Sequence, residues 1–250
     1  MCRMMGVVAR QPRPLRELFA DDLAPFLAMA CEHDQGWGVA SLTRQGVVSS
    51  VKRPERADGS TGLPAELDDR TTTAGLLHLR MASRQFAVVP ENTHPFGDER
   101  MAFVHNGDFS PADCVDGLIG ASLLDSAEGC TDSERYYLAI RRRIDDGVAP
   151  PKAIAVTAAD IRARAAGFVS LNCMLLTAEA VYAHVAHDPH SEVIRRRGPG
   201  YFSLNYREDA DKVLIASAGW PQEAPAWSPL PEGAVLEISL GDLSVTVHEG

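Results

Sequence analysis

Strand-like and helix-like patterns are segregated along this chain, and that segregation constrains its fold more than any other feature. Short apolar or alternating runs occupy both ends. Residues 2–9 (CRMMGVVA), Trp37–Leu42, Val47–Lys52, Ala74–Leu79 and Met101–Val104 read as strands. So do Phe168–Leu176, Val181–Val185, Tyr201–Tyr206, Val213–Ser217, Ala234–Ile238 and Leu243–Val247. The two long helical patterns, Asp132–Ile144 and Pro151–Ala165, lie together in the middle. Strands grouped apart from helices argue against a βαβ repeat and for an α+β fold with mostly antiparallel sheets. The predicted architecture is one domain over residues 1–250, with two packed sheets and helices outside them.

Local signals fill in the connections. Arg10–Pro14 carries two prolines and reads as a turn, followed by helical spacing over Leu15–Ala20 and Pro25–Cys31. Thr43–Gly46 is a turn closing a hairpin, and Arg53–Gly62 a polar surface loop. Residues 81–98, with Pro90 and Pro95, read as an irregular loop crossing a site. Pro111–Leu118 has helical spacing, and Thr131 or Asp132 is placed to cap the helix that follows.

Charge and cysteine usage exclude several classes. The formal net charge is −10 over 250 residues, which disfavours general binding to nucleic acid or to an anionic membrane. The two basic runs read as a solvated helix face (Arg141–Arg143) and a loop (Arg195–Arg197). Five cysteines, an odd number without a C-x-x-C pair, form neither a disulfide framework nor a zinc ribbon. Cys31, Cys114, Cys130 and Cys173 read as packing residues. There is no signal-peptide pattern and no apolar run near the ~20 residues of a membrane span, so the expected setting is a reducing cytoplasm.

Six stretches bear chemistry. Removal of Met1 would leave Cys2 with a thiol and an α-amine on one residue, a nucleophile beside a base. Arg80, in HLRMAS, ends an apolar strand, where it could clamp a carboxylate with Ser83 as a further donor. ENTHPF (91–96) is a turn with polar and aromatic members. Asn106-Gly107, in FVHNG, reads either as a hairpin turn or as an amide and an N–H converging on one oxygen. Asp132, in TDSE, is either a cap or an acceptor for an ammonium. In HDQGWGVA (33–40), Gly36 and Gly38 flank Trp37, so the backbone there can approach something closely. His184, His187 and His190 could hold a metal, but they sit at a strand end and in a loop, and no metal is assigned to them.

The order Cys2, HDQGWGVA, HLRMAS, NTHPF, HNG, TDSE resembles the class II glutamine amidotransferases, which are N-terminal-nucleophile hydrolases, and in particular their small stand-alone members that begin Met-Cys-Arg. The motifs cover residues 2 to about 134; length and strand pattern extend the resemblance to the end. It implies a four-layer α/β/β/α sandwich, removal of Met1, and no cofactor. It further implies Cys2 as nucleophile on a γ-amide carbonyl, Asn106 and Gly107 as oxyanion donors, and Arg80 with Ser83 on the substrate α-carboxylate. Asp132 would bind the α-ammonium and His94 would line the site, with Asn92 and His105 structural. The implied substrate is glutamine or a γ-glutamyl small molecule, cleaved through a thioester. Ammonia would be released or passed to a synthase or ligase partner chain.

Three positions depart from the family pattern: Met81 where an aromatic is common, Arg84-Gln85-Phe86 where a small turn is common, and Gln35 where the stand-alone members often have Asp. The first two put substrate preference and lid motion in question; Gln35 is expected to affect local packing. Two other readings stay open, a hydrolase of γ-glutamyl conjugates or peptides and a catalytically silent regulatory subunit. The oligomeric state is left open as well.

Overall fold

The computed structural model describes residues 1–82, 86–223 and 225–249. Thirteen described strands form two antiparallel sheets. In chain order they are β1 (Arg3–Pro14), β2 (Trp37–Leu42), β3 (Val48–Arg53), β4 (Thr71–Leu79), β5 (Phe96–Gly97), β6 (Met101–Ser110), β7 (Gly167–Thr177), β8 (Ala180–His184), β9 (Leu204–Glu208), β10 (Lys212–Ser217), β11 (Ser228–Pro229), β12 (Val235–Ser239) and β13 (Val245–His248). One sheet runs β11-β9-β10-β1-β4-β2-β3, the other β13-β12-β8-β7-β6-β5. The α-helices are α1 (Leu15–Phe19), α2 (Leu23–Ala28), α3 (Gly62–Asp69), α4 (Asp116–Ile119), α5 (Ala121–Leu124), α6 (Asp132–Asp145), α7 (Pro150–Arg164) and α8 (Glu192–Arg197).

Strand periodicity sorts the side chains into three cores. Even-numbered residues of β1 and β4 (Met4, Val8, Ala74, Leu76) meet Ala102 and Val104 of β6 and Met174 and Leu176 of β7 between the sheets. Odd-numbered residues of β1 (Met5, Val7) face the other way, onto Leu15, Leu18, Phe19 and Phe26 of the first helices. Phe103 and Phe109 of β6 face Tyr136, Ile140 and Ile154 of α6 and α7. Each large apolar side chain buried in this way contributes about 1.5–3 kcal/mol. The result is the expected four-layer sandwich of helices, sheet, sheet and helices.

Several local readings change. Arg10–Pro14 is not a turn. It continues β1, and an irregularity between Val8 and Arg13 restores pairing at Arg13↔Thr72; a bulge tolerates the prolines that a regular ladder would not. Asn106-Gly107 closes no hairpin, because β6 runs straight through it, paired with β7 from Met101 to Ser110. Arg195–Arg197 is the last turn of α8 rather than a loop. Helix α3 begins at Gly62, the last residue of the expected loop. Cys31 and Cys130 are exposed, so of the four cysteines assigned to packing only Cys173 is fully buried. His184 is buried in β8 rather than at a solvated strand end. Among the described residues no group of His, Cys, Asp and Glu is placed to hold a metal, and no helix is long and apolar enough to cross a membrane.

Helix α6 starts where expected, and the cap is Thr131: its Oγ1 accepts from the Glu134 N–H at 3.1 Å. The Glu134 carboxylate reaches back to the N–H groups of Glu128 and Gly129, both at 2.8 Å, and fixes the approach to the helix. That leaves Asp132, the first helical residue, available for another role.

Candidate active site

Antiparallel pairing builds the site. Arg3 of β1 pairs with Leu79 of β4, so the beginning of β1 lies beside the end of β4. Cys2 therefore falls next to Arg80 and Met81. Its side chain is buried, and the thiol donates to the Met81 carbonyl at 3.6 Å. Cys2 has the parity of Met4, so the thiol lies on the inter-sheet side. Burial raises the Cys2 thiol pKa, while the terminal ammonium, the Met81 contact and the Arg80 charge oppose the rise. The α-amine of Met1 donates to Met81 Sδ at 2.7 Å, and burial lowers its pKa toward the neutral, basic form.

Arg80 is buried, and among the described residues its guanidinium donates to backbone oxygens: Nη1 to Gln35 O and Nη2 to Ala87 O, both at 3.3 Å. It forms no ion pair with a described residue. Gln35 holds this corner together. Its Oε1 accepts from the Ala82 N–H at 2.7 Å and its own N–H donates to Arg80 O at 3.1 Å. The packing role expected of Gln35 is thus a direct brace on the segment carrying Arg80 and Met81. Ser83, Arg84 and Gln85 lie outside the described residues.

Asn106 has the parity of Val104 and enters the same inter-sheet space. It is fully buried, and neither its Oδ1 nor its Nδ2 has a partner among the described residues. An unpaired buried amide costs about 1–3 kcal/mol. Gly107 meets the opposite constraint: a Cβ there would overlap the Ser170 carbonyl of β7, and only glycine lets the strands close.

Asp132 is also buried. Its Oδ2 accepts from the Phe109 N–H at 3.0 Å, which ties the start of α6 to β6. Burial pushes its pKa up to about 7; the Phe109 N–H opposes this and the Asp108 charge adds to it. Like Arg80, Asp132 forms no ion pair with a described residue, and the charges of both act on Cys2.

The histidines and Asn92 support this frame. His94 stacks on His78 with ring centroids 4.1 Å apart and meets Phe96 edge-on at 4.7 Å. Neither ring nitrogen of His94 has a partner. Gly38 makes room for this loop, since a Cβ there would overlap the His94 carbonyl; this is the close approach expected around Trp37. His105 bridges α6 and β7 through Ser133 Oγ (2.9 Å) and Ser170 O (3.0 Å). Asn92 ties its loop to the approach to α6, donating to Ala87 O at 3.2 Å and accepting from the Cys130 N–H at 3.1 Å. His184 and His187 serve separate partners: His184 Nδ1 donates to Ala234 O at 3.0 Å and His187 Nδ1 lies 2.9 Å from Glu232 Oε2.

The family model described as glutamine amidotransferases class-II matches residues 1–246. The chain belongs to the class II glutamine amidotransferases. Among solved structures it is similar to a glutamine aminotransferase class-II domain protein from Silicibacter pomeroyi, at 20% identity over 99% of both chains with a TM-score of 0.69. It is similar as well to a predicted glutamine amidotransferase from Pseudomonas aeruginosa, at 16% identity over 97% of this chain and 99% of that one, TM-score 0.57. Glutamine phosphoribosylpyrophosphate amidotransferase from B. subtilis aligns at 14% identity and TM-score 0.64; the match covers 99% of this chain and 49% of the Bacillus protein. These identities show a shared fold. No curated protein matches the chain in sequence.

For a class II amidotransferase, the sequence missed one feature of the site, the Met81 backbone. Its carbonyl receives the Cys2 thiol, a contact set by strand register rather than by side-chain type.

Proposed function

We propose that this amidotransferase domain hydrolyses the γ-amide of glutamine or of a γ-glutamyl compound through a thioester on Cys2, after Met1 is removed. The observation that carries the reading is the pair of buried groups of opposite type, the Arg80 guanidinium and the Asp132 carboxyl, which both act on Cys2 and have no ion-pair partner among the described residues. An α-amino acid head group carries the matching charges. Arg80 would take the α-carboxylate in a charge-assisted contact, and Asp132 the α-ammonium.

The chemistry then needs a nucleophile, a base and an oxyanion donor. The Cys2 sulfur forms a bond to the γ-carbon while the carbonyl oxygen takes up charge beside Asn106 Nδ2 and the Gly107 N–H. The thiol proton passes to the α-amine of Cys2 and on to the leaving nitrogen as the C–N bond breaks. Water next adds to the thioester, the C–S bond breaks, and the sulfur regains a proton. Glutamate leaves with ammonia or an amine, and ammonia is either released or handed to a partner chain.

The test is intact-protein mass spectrometry together with turnover. Mature protein is expected to begin at Cys2, to release glutamate from glutamine, and to accumulate a +129 Da-class acyl adduct only transiently. Cys2→Ala should lose turnover and keep its melting temperature. Equal glutamate release by wild type and Cys2→Ala would refute the reading.

A further inference from the structure

A cavity of about 540 Å³ lies on the helix-facing side of β1, against Arg3 and the α2 residues Pro25 and Ala28. That size is within the roughly 300–1,000 Å³ typical of small-molecule pockets. Its wall includes Arg3, Met29, His33, Arg197, Tyr201 and Trp220. Arg3 has the parity of Met5 and so points away from the inter-sheet core.

Three buried polar atoms on this wall have no partner among the described residues: Arg3 Nε, His33 Nε2 and Trp220 Nε1. Arg3 is 2% exposed and forms no ion pair with a described residue. It rests 4.1 Å over the Tyr201 ring, and its Nη1 donates to the carbonyls of Cys2 and Tyr201, each at 3.4 Å. A buried cation without a counter-ion is costly, and an anionic ligand removes that cost. His33 Nδ1 donates to Met29 O at 2.7 Å, which leaves Nε2 as an acceptor facing the cavity. The wall thus presents donors at Arg3 and Trp220, one acceptor at His33, and apolar edges from Met29, Tyr201 and Trp220. The wall also carries Glu32, which pairs with Arg197 at 3.1 Å, so the cation left without an ion pair among the described residues of this wall is Arg3.

The cavity also borders the reacting end of the chain. Arg3, which lines the cavity, follows Cys2 directly in β1, and its Nη1 donates to the Cys2 carbonyl at 3.4 Å. Removal of Met1 would leave the α-amine on Cys2, the residue next to this wall. The nitrogen leaving the γ-carbonyl must meet this α-amine to collect its proton.

We infer that this cavity is the subsite for the leaving amine of a γ-glutamyl conjugate, and that it takes an amine bearing a carboxylate and an aromatic or apolar body, as in a γ-glutamyl amino acid or peptide. This rests on the Cys2 reading above and specifies its substrate class. Arg3 and the Trp220 indole N–H bind the carboxylate, His33 Nε2 accepts an N–H of the ligand, and Tyr201 and Trp220 cover its apolar part. The leaving amine departs with the proton relayed from the thiol, so the step balances without a further reactant.

The test compares kcat/KM for γ-glutamyl-L-phenylalanine and γ-glutamyl-phenethylamide, which differ only in the leaving group's carboxylate, with glutamine as a third substrate. Wild type is expected to favour the acid at least tenfold, and Arg3→Met to bring that ratio near one. Trp220→Phe, which keeps the ring and removes the N–H, should lower the ratio severalfold and serves if Arg3→Met does not fold. A wild-type ratio near one with normal glutamine turnover overturns the subsite and leaves the Cys2 chemistry standing. A ratio unchanged in the folded variants also overturns it. No turnover of any of the three by protein beginning at Cys2 overturns both.

Discussion

Asn106 and Asn172 stand opposite each other across the β6–β7 ladder, yet only Asn172 commits its amide to the fold. Asn172 Nδ2 donates to Phe202 O at 2.5 Å and its Oδ1 accepts from the Ala186 N–H at 2.9 Å. The Asn106 amide, equally buried, bonds to nothing. Two identical side chains at paired positions therefore differ in what they do for the fold: one anchors loops, and the other makes no bond to a described residue.

This contrast predicts opposite phenotypes. Asn106→Ala should cut kcat by about 10²–10³ with the melting temperature unchanged or raised, since an unsatisfied buried amide is removed. Asn172→Ala should lower stability by about 1–3 kcal/mol, because the Ala186 N–H and Phe202 carbonyl lose their partner. Urea unfolding and steady-state kinetics on both variants check this; equal destabilisation would contradict it.

Arg80→Lys should raise KM for glutamine by about tenfold or more and change kcat less. A lysine keeps the charge but loses the planar fork that suits a carboxylate. An unchanged KM would show that the α-carboxylate is bound elsewhere.

Asp132 carries a pH signature in the ligand-free protein. Its folded pKa is raised to about 7 by burial, so the native state holds a proton that the unfolded state releases near pH 4. Stability is then full below pH 4 for this group and declines as pH rises toward 7. Asp132→Asn should melt several degrees higher than wild type at pH 8, and the gap should close near pH 5. A gap independent of pH would contradict the assignment.

The buried histidines act in the opposite sense. Burial lowers His78 to about 3, and His33, His105 and His184 to about 4. Unfolding lets them take up protons, so their contribution is full above the unfolded pKa near 6.5 and is lost as pH falls toward 4. The urea midpoint should fall across that window, and a flat profile from pH 7 to 4.5 would count against neutral, buried imidazoles.

The sequence by itself determined the layer order, because strand and helix periodicity are local properties of side-chain spacing. It also narrowed the cap of α6 to Thr131 or Asp132 and identified the family, since the motifs name it. Tertiary structure decided what the motif residues face. Asn106-Gly107 has the composition of a turn, but ten residues of pairing with β7 outweigh that local preference and carry the strand through it. The brace from Gln35 to Ala82 and the contact of Cys2 with Met81 depend on strand register, which joins residues 47 and 79 positions apart. Whether a buried polar atom finds a partner is likewise a non-local outcome: Asn106 and Asn172 look alike in the sequence, and only the packed sheets leave one amide satisfied and the other unpaired.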